Sequence, residues 1–412
     1  MNVFFIPSWY PSADENIAGI FHQELIHAMA AKYPMLNLGV SLWGQKSETN
    51  LLWAKDHFKN IIKLIRFPTE PPHEHKVLDN LREYHFPALT WSDKFLKGNI
   101  RGIVKASEEN LKKFEAAFGK TTLIHAQVAF PAGYIAMHLA ESYRLPFIIT
   151  EQMSPFPFGC YYTRRQQIMD KVLLPMQKAD AVVAISPHAA ADIQQKTGVK
   201  PVVIPNLVDE NLFTPNHREQ PQINAQEQTI FTFFTLGRMV PQKGIPDLLK
   251  AISIMSNNKV RFRIGGNGAQ LQEYQQLAKE LRADSQIEWL GELSREEAAE
   301  EFRNCHAFVL PSVHESMGVV YAEALASGKP VIATRCGGPE FIVKEHNGLL
   351  VDVHAPDQLA GAMKYLMAHY SSYNPTIIRD DFMARFSGTA ISRQIYSLYK
   401  AVVSGHQESL YV

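Results

Sequence analysis

Short apolar runs rich in β-branched residues alternate with helical patterns along almost the whole chain, and this alternation restricts the fold more than any other sequence feature. In one helical stretch, Phe21, Leu25, Ala28 and Met29 fall at i, i+4, i+7 and i+8, which predicts a helix with one buried face. Strands that alternate with such helices form parallel sheets of Rossmann type. In the first half of the chain the predicted strands are VFFIPS, LNLGVSLW, NIIKLIRF, TTLIHAQ, PFIITE, AVVAIS and VVIPN.

The alternation stops at a polar, strand-poor interval, residues 209–228, and then starts again. We therefore predict an α/β protein with two Rossmann-like, doubly wound parallel-sheet domains, residues 1–206 and 207–386, facing each other across a cleft. A C-terminal helix at about residues 387–404 is expected to pack back on the first domain. Ligands of such sheets bind beyond the carboxyl ends of the strands. The second series of predicted strands is TIFTFFTLG, VRFRIGG, QIEWLG, HAFVLPS, PVIATRC and NGLLVD.

Composition excludes several classes of protein. Residues 1–205 carry 22 Lys/Arg against 18 Asp/Glu and the rest carries 19 against 23, too even a balance for a nucleic-acid partner. The three cysteines, Cys160, Cys305 and Cys336, are too scattered for a disulfide framework or a zinc site. No apolar run is long enough to span a bilayer and no export signal is evident, so we expect a cytoplasmic protein.

Two carboxylates stand out in HESMGVVYAEALASGKP, residues 314–330. Glu315 falls at a strand end and Glu323 nearly two turns into the following helix, which Gly328 and Pro330 close. The pair is separated by roughly 10–12 Å along the chain, whereas glycosidase acid and base groups stand roughly 5–9.5 Å apart. They suit the two ends of one extended ligand with hydroxyls at both ends and a diphosphate between them. The alternative is one loop carboxylate and one structural carboxylate.

Other candidates also follow predicted strands. Gly19 precedes a helix, where free N–H groups attract phosphate, although a plain loop glycine has the same pattern. Arg238 and Lys243 flank a loop before a helix and suit a diphosphate, with two solvated surface charges as the alternative. GGNG at residues 265–268 lacks the dinucleotide-binding spacing and is interpreted as a tight turn, which weakens a dehydrogenase interpretation.

The stretch HESMGVVYAEALASGKPVIATRCGGPEFI resembles the E-x7-E signature of the family-four (group 1) glycosyltransferases, which have the GT-B fold and transfer sugar with retention. GRMVPQKG, IGGNG, IEWLGEL, FVLPSVHES, PVIATRCGG and VVIPNLVDENLFTP follow in the family's order, so the resemblance covers nearly the whole chain. It implies that Arg238 and Lys243 bind the donor diphosphate, that Glu323 binds the nucleotide ribose and that Glu315 holds the transferred sugar. It further places these residues at the donor: Gly19, Gly266, Leu290, Ser316, Met317 and Gly318.

The sequence departs from the family pattern in the first domain. Gln127 of IHAQ stands where many relatives have a second His that touches the donor sugar, and Gln152 of ITEQ stands where similar enzymes often have His. Either His125 alone serves as the catalytic His, or Gln127 and Gln152 recognise a different sugar. His125 also fits a core histidine whose ring nitrogens are both bonded.

The resemblance implies a hexosyltransferase of polysaccharide biosynthesis, with a UDP-sugar favoured as donor and a glycan, lipid-linked or small-molecule acceptor. No D-x-D occurs, so we expect no cofactor and no metal. HEH at residues 73–75 has poor metal-site spacing and is interpreted as an exposed loop. A non-catalytic sugar-nucleotide-binding protein and a sugar-nucleotide 2-epimerase are the alternatives.

Two basic, partly apolar stretches, residues 55–67 and 93–114, suggest peripheral contact with an anionic membrane. The first also fits a sheet strand. The second also fits an amphipathic helix that covers the core.

Overall fold

The computed structural model describes residues 1–12, 18–44, 51–52, 71–91, 99–153, 155–216, 230–255, 257 and 259–405. It divides into two compact units, Met1–Leu207 with Ile391–Val412, and Val208–Ala390. The strand predicted at NIIKLIRF and the greater part of the polar interval lie outside the described residues.

The first unit is built on an eight-stranded sheet. Its strands are β1 (Asn2–Pro7), β2 (Asn37–Leu42), β4 (His73–Leu78), β5 (Leu81–His85), β7 (Leu123–Gln127), β8 (Phe147–Glu151), β9 (Ala181–Ala184) and β10 (Val202–Val203). Two further short strands, β3 (Leu51–Leu52) and β6 (Thr90–Trp91), pair with each other. The α-helices that the structure describes before residue 207 are α1 (Ile20–Lys32), α2 (Ile100–Phe118), α3 (Tyr134–Tyr143), α4 (Asp170–Lys178) and α5 (Pro187–Thr197).

The strand order of this sheet is β10-β9-β8-β7-β1-β2-β5-β4. All neighbours are parallel except β4 and β5, which form an antiparallel pair at one edge. The prediction of an exposed loop at HEH was wrong, because His73, Glu74 and His75 form the start of β4. They are exposed nevertheless, since an edge strand leaves one side and its polar side chains in water.

A buried apolar cluster lies on each face of this sheet. One contains Phe4, Ile124 and Phe114 with side chains of α2 and α3. The other contains Phe5 and Ile148 with side chains of α1 and of the last helix.

The second unit contains a six-stranded sheet of order β13-β12-β11-β14-β15-β16, parallel throughout. Its strands are β11 (Phe231–Leu236), β12 (Val260–Gly265), β13 (Ile287–Gly291), β14 (Ala307–Leu310), β15 (Val331–Thr334) and β16 (Gly348–Val351). Each of the six runs predicted in this half contains one of these strands. Its helices are α6 (Ile245–Met255), α7 (Leu271–Glu280), α8 (Arg295–Asn304), α9 (Val319–Ala326), α10 (Pro339–Ile342), α11 (Pro356–Ala368) and α12 (Pro375–Arg385).

The last helix, α13 (Gly388–Ser404), begins in the second unit and continues in the first. Within the first unit its buried side chains Ile391, Ile395 and Tyr399 join the cluster with Phe5. This helix therefore fills one face of the first sheet with residues distant in sequence, where burial of apolar surface stabilises the unit.

Candidate functional site

Two loops at the carboxyl ends of β11 and β14 are joined by backbone and side-chain contacts. The Val313 N–H donates to the Gln242 carbonyl at 2.8 Å, and the Gln242 side chain donates to the His314 carbonyl at 2.8 Å. Gly244 has φ +65°, and a Cβ there would lie 1.9 Å from the Pro311 carbonyl oxygen. Only glycine permits this approach, so the two loops pack together beyond the carboxyl ends of their strands. We call this pair of loops the ledge.

Lys243 and Glu315 meet on this ledge. The Lys243 Nζ lies 2.5 Å from Glu315 Oε1, and the Ser312 hydroxyl donates to the same oxygen at 2.7 Å. The Glu315 side chain is 9% exposed and that of Lys243 15%, so the pair is largely shielded from water. An ion pair this dry is maintained only with further hydrogen bonds, which Ser312 supplies here. The pair places a cation and a carboxylate at one point, as a diphosphate beside sugar hydroxyls requires.

The start of α9 lies directly after Glu315. Gly318 is the N-cap residue with φ +83°, and Met317 is buried. A Cβ on Gly338 would lie 2.4 Å from the Met317 Cα, so the loop before α10 packs against the backbone at residues 316–318. The first-turn N–H groups of a helix attract negative charge, which makes this end of α9 suitable for a phosphate or for sugar oxygens.

Glu323 lies in the second turn of α9 and is 5% exposed. Burial raises its pKa to about 6, while the Arg295 guanidinium nearby lowers it. Arg295 Nη1 stands 3.5 Å from Glu323 Oε1, and the guanidinium carbon lies 5.3 Å from the centre of the Phe213 ring. The carboxylate therefore has a cationic partner within the protein, in addition to the ribose that the resemblance implies.

Arg238 is exposed, just beyond β11, and makes no ion pair with any residue in the described ranges. The adjoining turn is held close to it, since the Met239 N–H donates to the Asn267 carbonyl at 2.9 Å. Gly266 has φ +124°, and its N–H donates to the Gly291 carbonyl at 2.6 Å. Leu290 is half-buried in β13 beside that carbonyl. The structure thus brings the strand ends of β11, β12 and β13 together at this turn.

Replacing Gly266 with Ala is expected to disrupt this turn. A Cβ there would lie 1.9 Å from the Gly237 carbonyl oxygen, so the backbone must shift, at a cost of about 1–3 kcal/mol in the free energy of unfolding. Chemical denaturation measures the loss. Gly361→Ala is the matched control, because that position in α11 has open space, and it should stabilise by about 0.5–1 kcal/mol. Equal stability of the two variants would contradict the close approach.

In the first unit, Gly19 is the N-cap of α1 with φ +79°. A Cβ there would lie 2.4 Å from the Trp9 carbonyl oxygen, so the loop after β1 packs on this glycine. The backbone conformation and this close packing are therefore enough to require glycine at this position. Phosphate binding here, which the resemblance implies, stays a prediction.

His125 lies in β7 with no exposed surface. Its Nδ1 is 2.7 Å from the Tyr399 hydroxyl and its Nε2 is 2.8 Å from the Thr150 hydroxyl. Burial lowers its pKa to about 3, so the ring is neutral. Both ring nitrogens are occupied by protein, which is the environment of the core-histidine alternative rather than of a residue that faces a substrate.

A test of His125 separates the two roles. His125→Leu leaves two buried hydroxyls without their partner, which should lower the free energy of unfolding by about 1–3 kcal/mol for each unsatisfied group. Turnover per folded molecule should stay within about threefold of wild type, since a contact with protein alone contributes nothing specific to the transition state. A loss of turnover of about a hundredfold with folding intact would restore the catalytic role.

Gln127 is buried at the end of β7, and its Oε1 accepts from the Gln152 amide at 3.5 Å. Its side-chain nitrogen has no hydrogen-bond partner among the described residues, and neither has Nδ1 of buried His22. Burial lowers the pKa of His22 to about 4, while the Gln127 side chain beside it acts to raise this pKa. The two glutamines therefore lie together with a neutral imidazole at the carboxyl edge of the sheet, and buried polar atoms without partners are suited to substrate hydroxyls.

Sequence reasoning missed Arg295, Ser312 and His22. Ser312 is the last residue of the predicted strand run HAFVLPS, so its position alone was a usable signal. Arg295 and His22 carry no such signal, because their roles depend on packing between elements distant in sequence. Across the described ranges, no group of three or more His, Cys, Asp or Glu side chains is arranged to hold a metal ion. Within the same ranges, no helix is both long enough and apolar enough to cross a membrane.

Two α/β units, each built on a mainly parallel sheet, are the architecture of the GT-B fold. Solved structures have the same fold. Sucrose-phosphate synthase from Thermosynechococcus elongatus matches with a TM-score of 0.71 at 22% identity over 98% of this chain and 100% of its own. HepE from Anabaena in complex with UDP matches with a TM-score of 0.67 at 19% identity over 97% and 100%. At such identities the likeness establishes the fold alone.

Family models match most of the chain. The model described as "Glycosyl transferases group 1" matches residues 216–377, and "Glycosyltransferase Family 4" matches residues 64–212. The chain belongs to the group 1 glycosyltransferases of family 4.

Two similar proteins match over about two thirds of this chain. An uncharacterized glycosyltransferase of Methanocaldococcus jannaschii is 26% identical over 70% of this chain and 81% of its own length. The D-inositol 3-phosphate glycosyltransferase of Corynebacterium glutamicum is 29% identical over 68% and 72%.

Proposed function

We propose that this glycosyltransferase transfers a hexosyl group, with retention of anomeric configuration and without a metal ion, from a nucleotide-diphosphate sugar to a hydroxyl of a glycan, lipid-linked or small-molecule acceptor. A UDP-sugar is the favoured donor, in keeping with the UDP that the Anabaena structure contains. The observation that carries the proposal is the Lys243–Glu315 pair at 2.5 Å, beside the first turn of α9.

In this reaction the bond between the anomeric carbon and the diphosphate oxygen breaks, and a bond to the acceptor oxygen forms on the same face of the sugar. The acceptor proton passes to the departing diphosphate, so charge balances without a cofactor. Lys243 and Arg238 stabilise the negative charge that develops on the diphosphate, together with the N–H groups at the start of α9. Glu315 holds sugar hydroxyls, and Glu323 accepts hydrogen bonds from the ribose.

A donor screen tests the proposal. Purified protein is incubated with UDP-, GDP- and ADP-sugars, and release of nucleoside diphosphate is followed with and without candidate acceptors. Slow hydrolysis or transfer from one donor, with the product's anomeric configuration equal to the donor's by NMR, is the expected result. Binding without turnover would favour a non-catalytic sugar-nucleotide-binding protein, and inversion at sugar C2 would favour the epimerase.

Contact with an anionic membrane stays a prediction, and among the described residues only the basic side chains of the second stretch still support it. Residues 55–67 lie outside the described ranges, as do residues 93–98. The remainder of the second stretch lies in α2, which buries Ile103, Leu111 and Phe114 in the core. Its apolar side therefore covers the sheet. Co-sedimentation with anionic vesicles at low salt checks the prediction, and protein that stays in the supernatant at every anionic fraction would contradict it.

A further inference from the structure

A short hairpin follows β8 in the first unit. Buried Glu151 holds the chain that leads into the hairpin. Its carboxylate accepts hydrogen bonds from the Ala129 N–H at 2.9 Å and from the Met153 N–H at 2.6 Å. Phe156 then inserts into the core. Beyond it the chain is exposed from residue 158 to 160 and again from 164 to 167. Because it follows a strand's carboxyl end, the hairpin stands on the edge of the sheet where ligands of such sheets bind.

The tip of the hairpin is a closed turn, residues 163–166, which we call the arginine turn. The Gln166 N–H donates to the Thr163 carbonyl at 3.0 Å, and the Thr163 N–H donates to the Gln167 carbonyl at 2.7 Å. Arg164 and Arg165 occupy the two central positions of this turn. An antiparallel bridge between Tyr162 and Ile168 supports its base. The backbone of the two arginines is therefore ordered before any ligand arrives, which reduces the entropy cost of binding.

An aromatic group lies at the foot of the arginine turn. The Tyr161 ring stands 5.5 Å from Phe130 and 6.4 Å from Phe158, centre to centre. Lys171 Nζ lies 4.4 Å from the Phe130 ring centre and 5.7 Å from that of Tyr161. Phe158 is 36% exposed and Tyr161 is half-buried, so both present ring surface to solvent. Rings fixed in this way offer apolar area at low conformational cost.

The charge of this surface is unbalanced. Neither Arg164 nor Arg165 makes an ion pair with any residue in the described ranges, although both are exposed beside each other. The nearest acidic residue in sequence, Asp170, begins α4, and buried Glu151 is bonded to backbone. Like charges on neighbouring residues of one turn repel each other, so these two arginines gain no Coulomb energy from one another. An oxyanion would bind both, since each guanidinium offers a fork of donors that matches carboxylate or phosphate.

We propose that the arginine turn and the rings of Phe158 and Tyr161 form the acceptor-binding surface of this chain, and that the acceptor is a sugar bearing a carboxylate or a phosphate group. The rings pack against the sugar ring and the arginines bind its anionic group. That the bound sugar is the acceptor rests on the proposed glycosyl transfer. Binding of an anionic sugar to this surface does not depend on it.

Binding of small anionic sugars tests the surface. The probes are a galacturonate trisaccharide for a carboxylate and glucose 6-phosphate for a phosphate, with maltotriose as the neutral comparison. Wild-type protein should bind at least one anionic probe about tenfold more tightly than maltotriose, and R164Q/R165Q should remove that advantage. The preferred probe identifies the anionic group. Phe158→Ala should weaken anionic and neutral probes alike.

The matched control is K32Q/R393Q, which removes the same charge from α1 and α13. Both residues are exposed and belong to helices on the other face of the sheet, so this variant should bind like wild type. Equal losses in the two double variants would show a net-charge effect and overturn the proposal. Equal binding of all probes by the wild type would overturn it as well. Arginine-dependent binding to phosphatidylglycerol vesicles but to neither sugar probe would overturn it in favour of a lipid surface.

Nucleotide binding distinguishes this proposal from the function it rests on. R164Q/R165Q should bind UDP like wild type, because the donor residues Lys243, Glu315 and Glu323 lie in the other unit. Arginine-dependent sugar binding without any use of nucleotide sugars would refute the proposed transferase and leave the surface in place. Normal donor hydrolysis with no effect of R164Q/R165Q on sugar binding would refute the surface alone.

Discussion

Replacing Lys243 or Arg238 with Ala should raise the barrier to sugar transfer by about 2.7–4 kcal/mol, which corresponds to a loss of about a hundredfold to a thousandfold in turnover. Each cation is expected to meet charge that grows on the departing diphosphate, so the loss should appear in kcat. Lys243 is the more sensitive of the two, because its removal also leaves Glu315, 9% exposed, without its cationic partner. Steady-state kinetics with the donor found in the screen provide the measurement.

Lys279→Ala is the control for both variants. Lys279 is exposed in α7 of the same unit, so the substitution removes equal charge without reaching the ledge. Turnover within about threefold of wild type in both K243A and R238A would remove these residues from the diphosphate site. Nucleoside diphosphate affinity, measured alongside, shows whether the lost contact belonged to the ground state or only to the transition state.

Glu323→Gln should have opposite effects on the free and the nucleotide-bound protein. Burial raises the pKa of Glu323 from 4.5 to about 6, so the folded state holds this proton more tightly than the unfolded chain. Stability from this group is present at low pH and is lost as pH rises from about 4.5 to 6. At about pH 7 the ionised, buried carboxylate costs up to about 2 kcal/mol. The Gln variant should therefore be more stable without ligand, and its advantage should vanish in acid.

Nucleotide affinity should change in the other direction. An ionised carboxylate accepts stronger hydrogen bonds from ribose hydroxyls than an amide does, so Glu323→Gln should weaken UDP binding by about 1.5–3 kcal/mol. The terminal phosphate of UDP also titrates near pH 6, so both proteins should lose affinity there, and the wild type should lose more of it than the variant as pH drops through about 6. Isothermal titration at several pH values measures this. Equal affinities with intact folding would contradict the ribose role.

Arg295 provides a second check on the same group. Arg295 is the cation that lowers the pKa of Glu323. Another arginine, Arg379 on the neighbouring helix α12, does not take this role, because it donates hydrogen bonds to backbone carbonyls such as that of Ala326. Arg295→Met should therefore move the acid limb of UDP binding to higher pH, with affinity recovered as pH increases. A loss of affinity equal at every pH would show that Arg295 contacts the nucleotide itself or only supports the fold.

Most of the second unit was predictable from its residues. Its six strands fall within short, mostly apolar runs, and four of them end at or just before a glycine or proline. A buried parallel sheet has this composition because both of its faces are covered by helices. The two strands at one edge of the first sheet were harder to predict from the sequence. The exposed strand His73–Leu78 contains HEHK and pairs with LREYH, so neither strand carries the apolar run by which the others were predicted.

The sequence placed Arg238, Lys243 and Glu315 at or just after strand ends and Glu323 nearly two turns into the following helix. For Lys243 and Glu315 the structure shows direct contact. That result follows from topology, since β11 and β14 are neighbours and parallel strands present their carboxyl ends on one edge. His125 illustrates the opposite case. Its position in β7 allowed two roles. Only the packing of Tyr399 from α13, far along the chain, and of Thr150 shows that both ring nitrogens are bonded within the core.

The sequence by itself determined the family, the two α/β units and the side chains at the strand ends, because periodicity, glycines and local spacing are written within a few residues of each other. Only the tertiary structure decided which side chains meet. Lys243 pairs with Glu315, Arg295 pairs with Glu323, and in the hairpin at residues 158–169 the Tyr161 ring packs against Phe158 and Phe130. Charge pairing and burial depend on distances between elements far apart in the chain, and those distances exist only after the sheets and helices have packed.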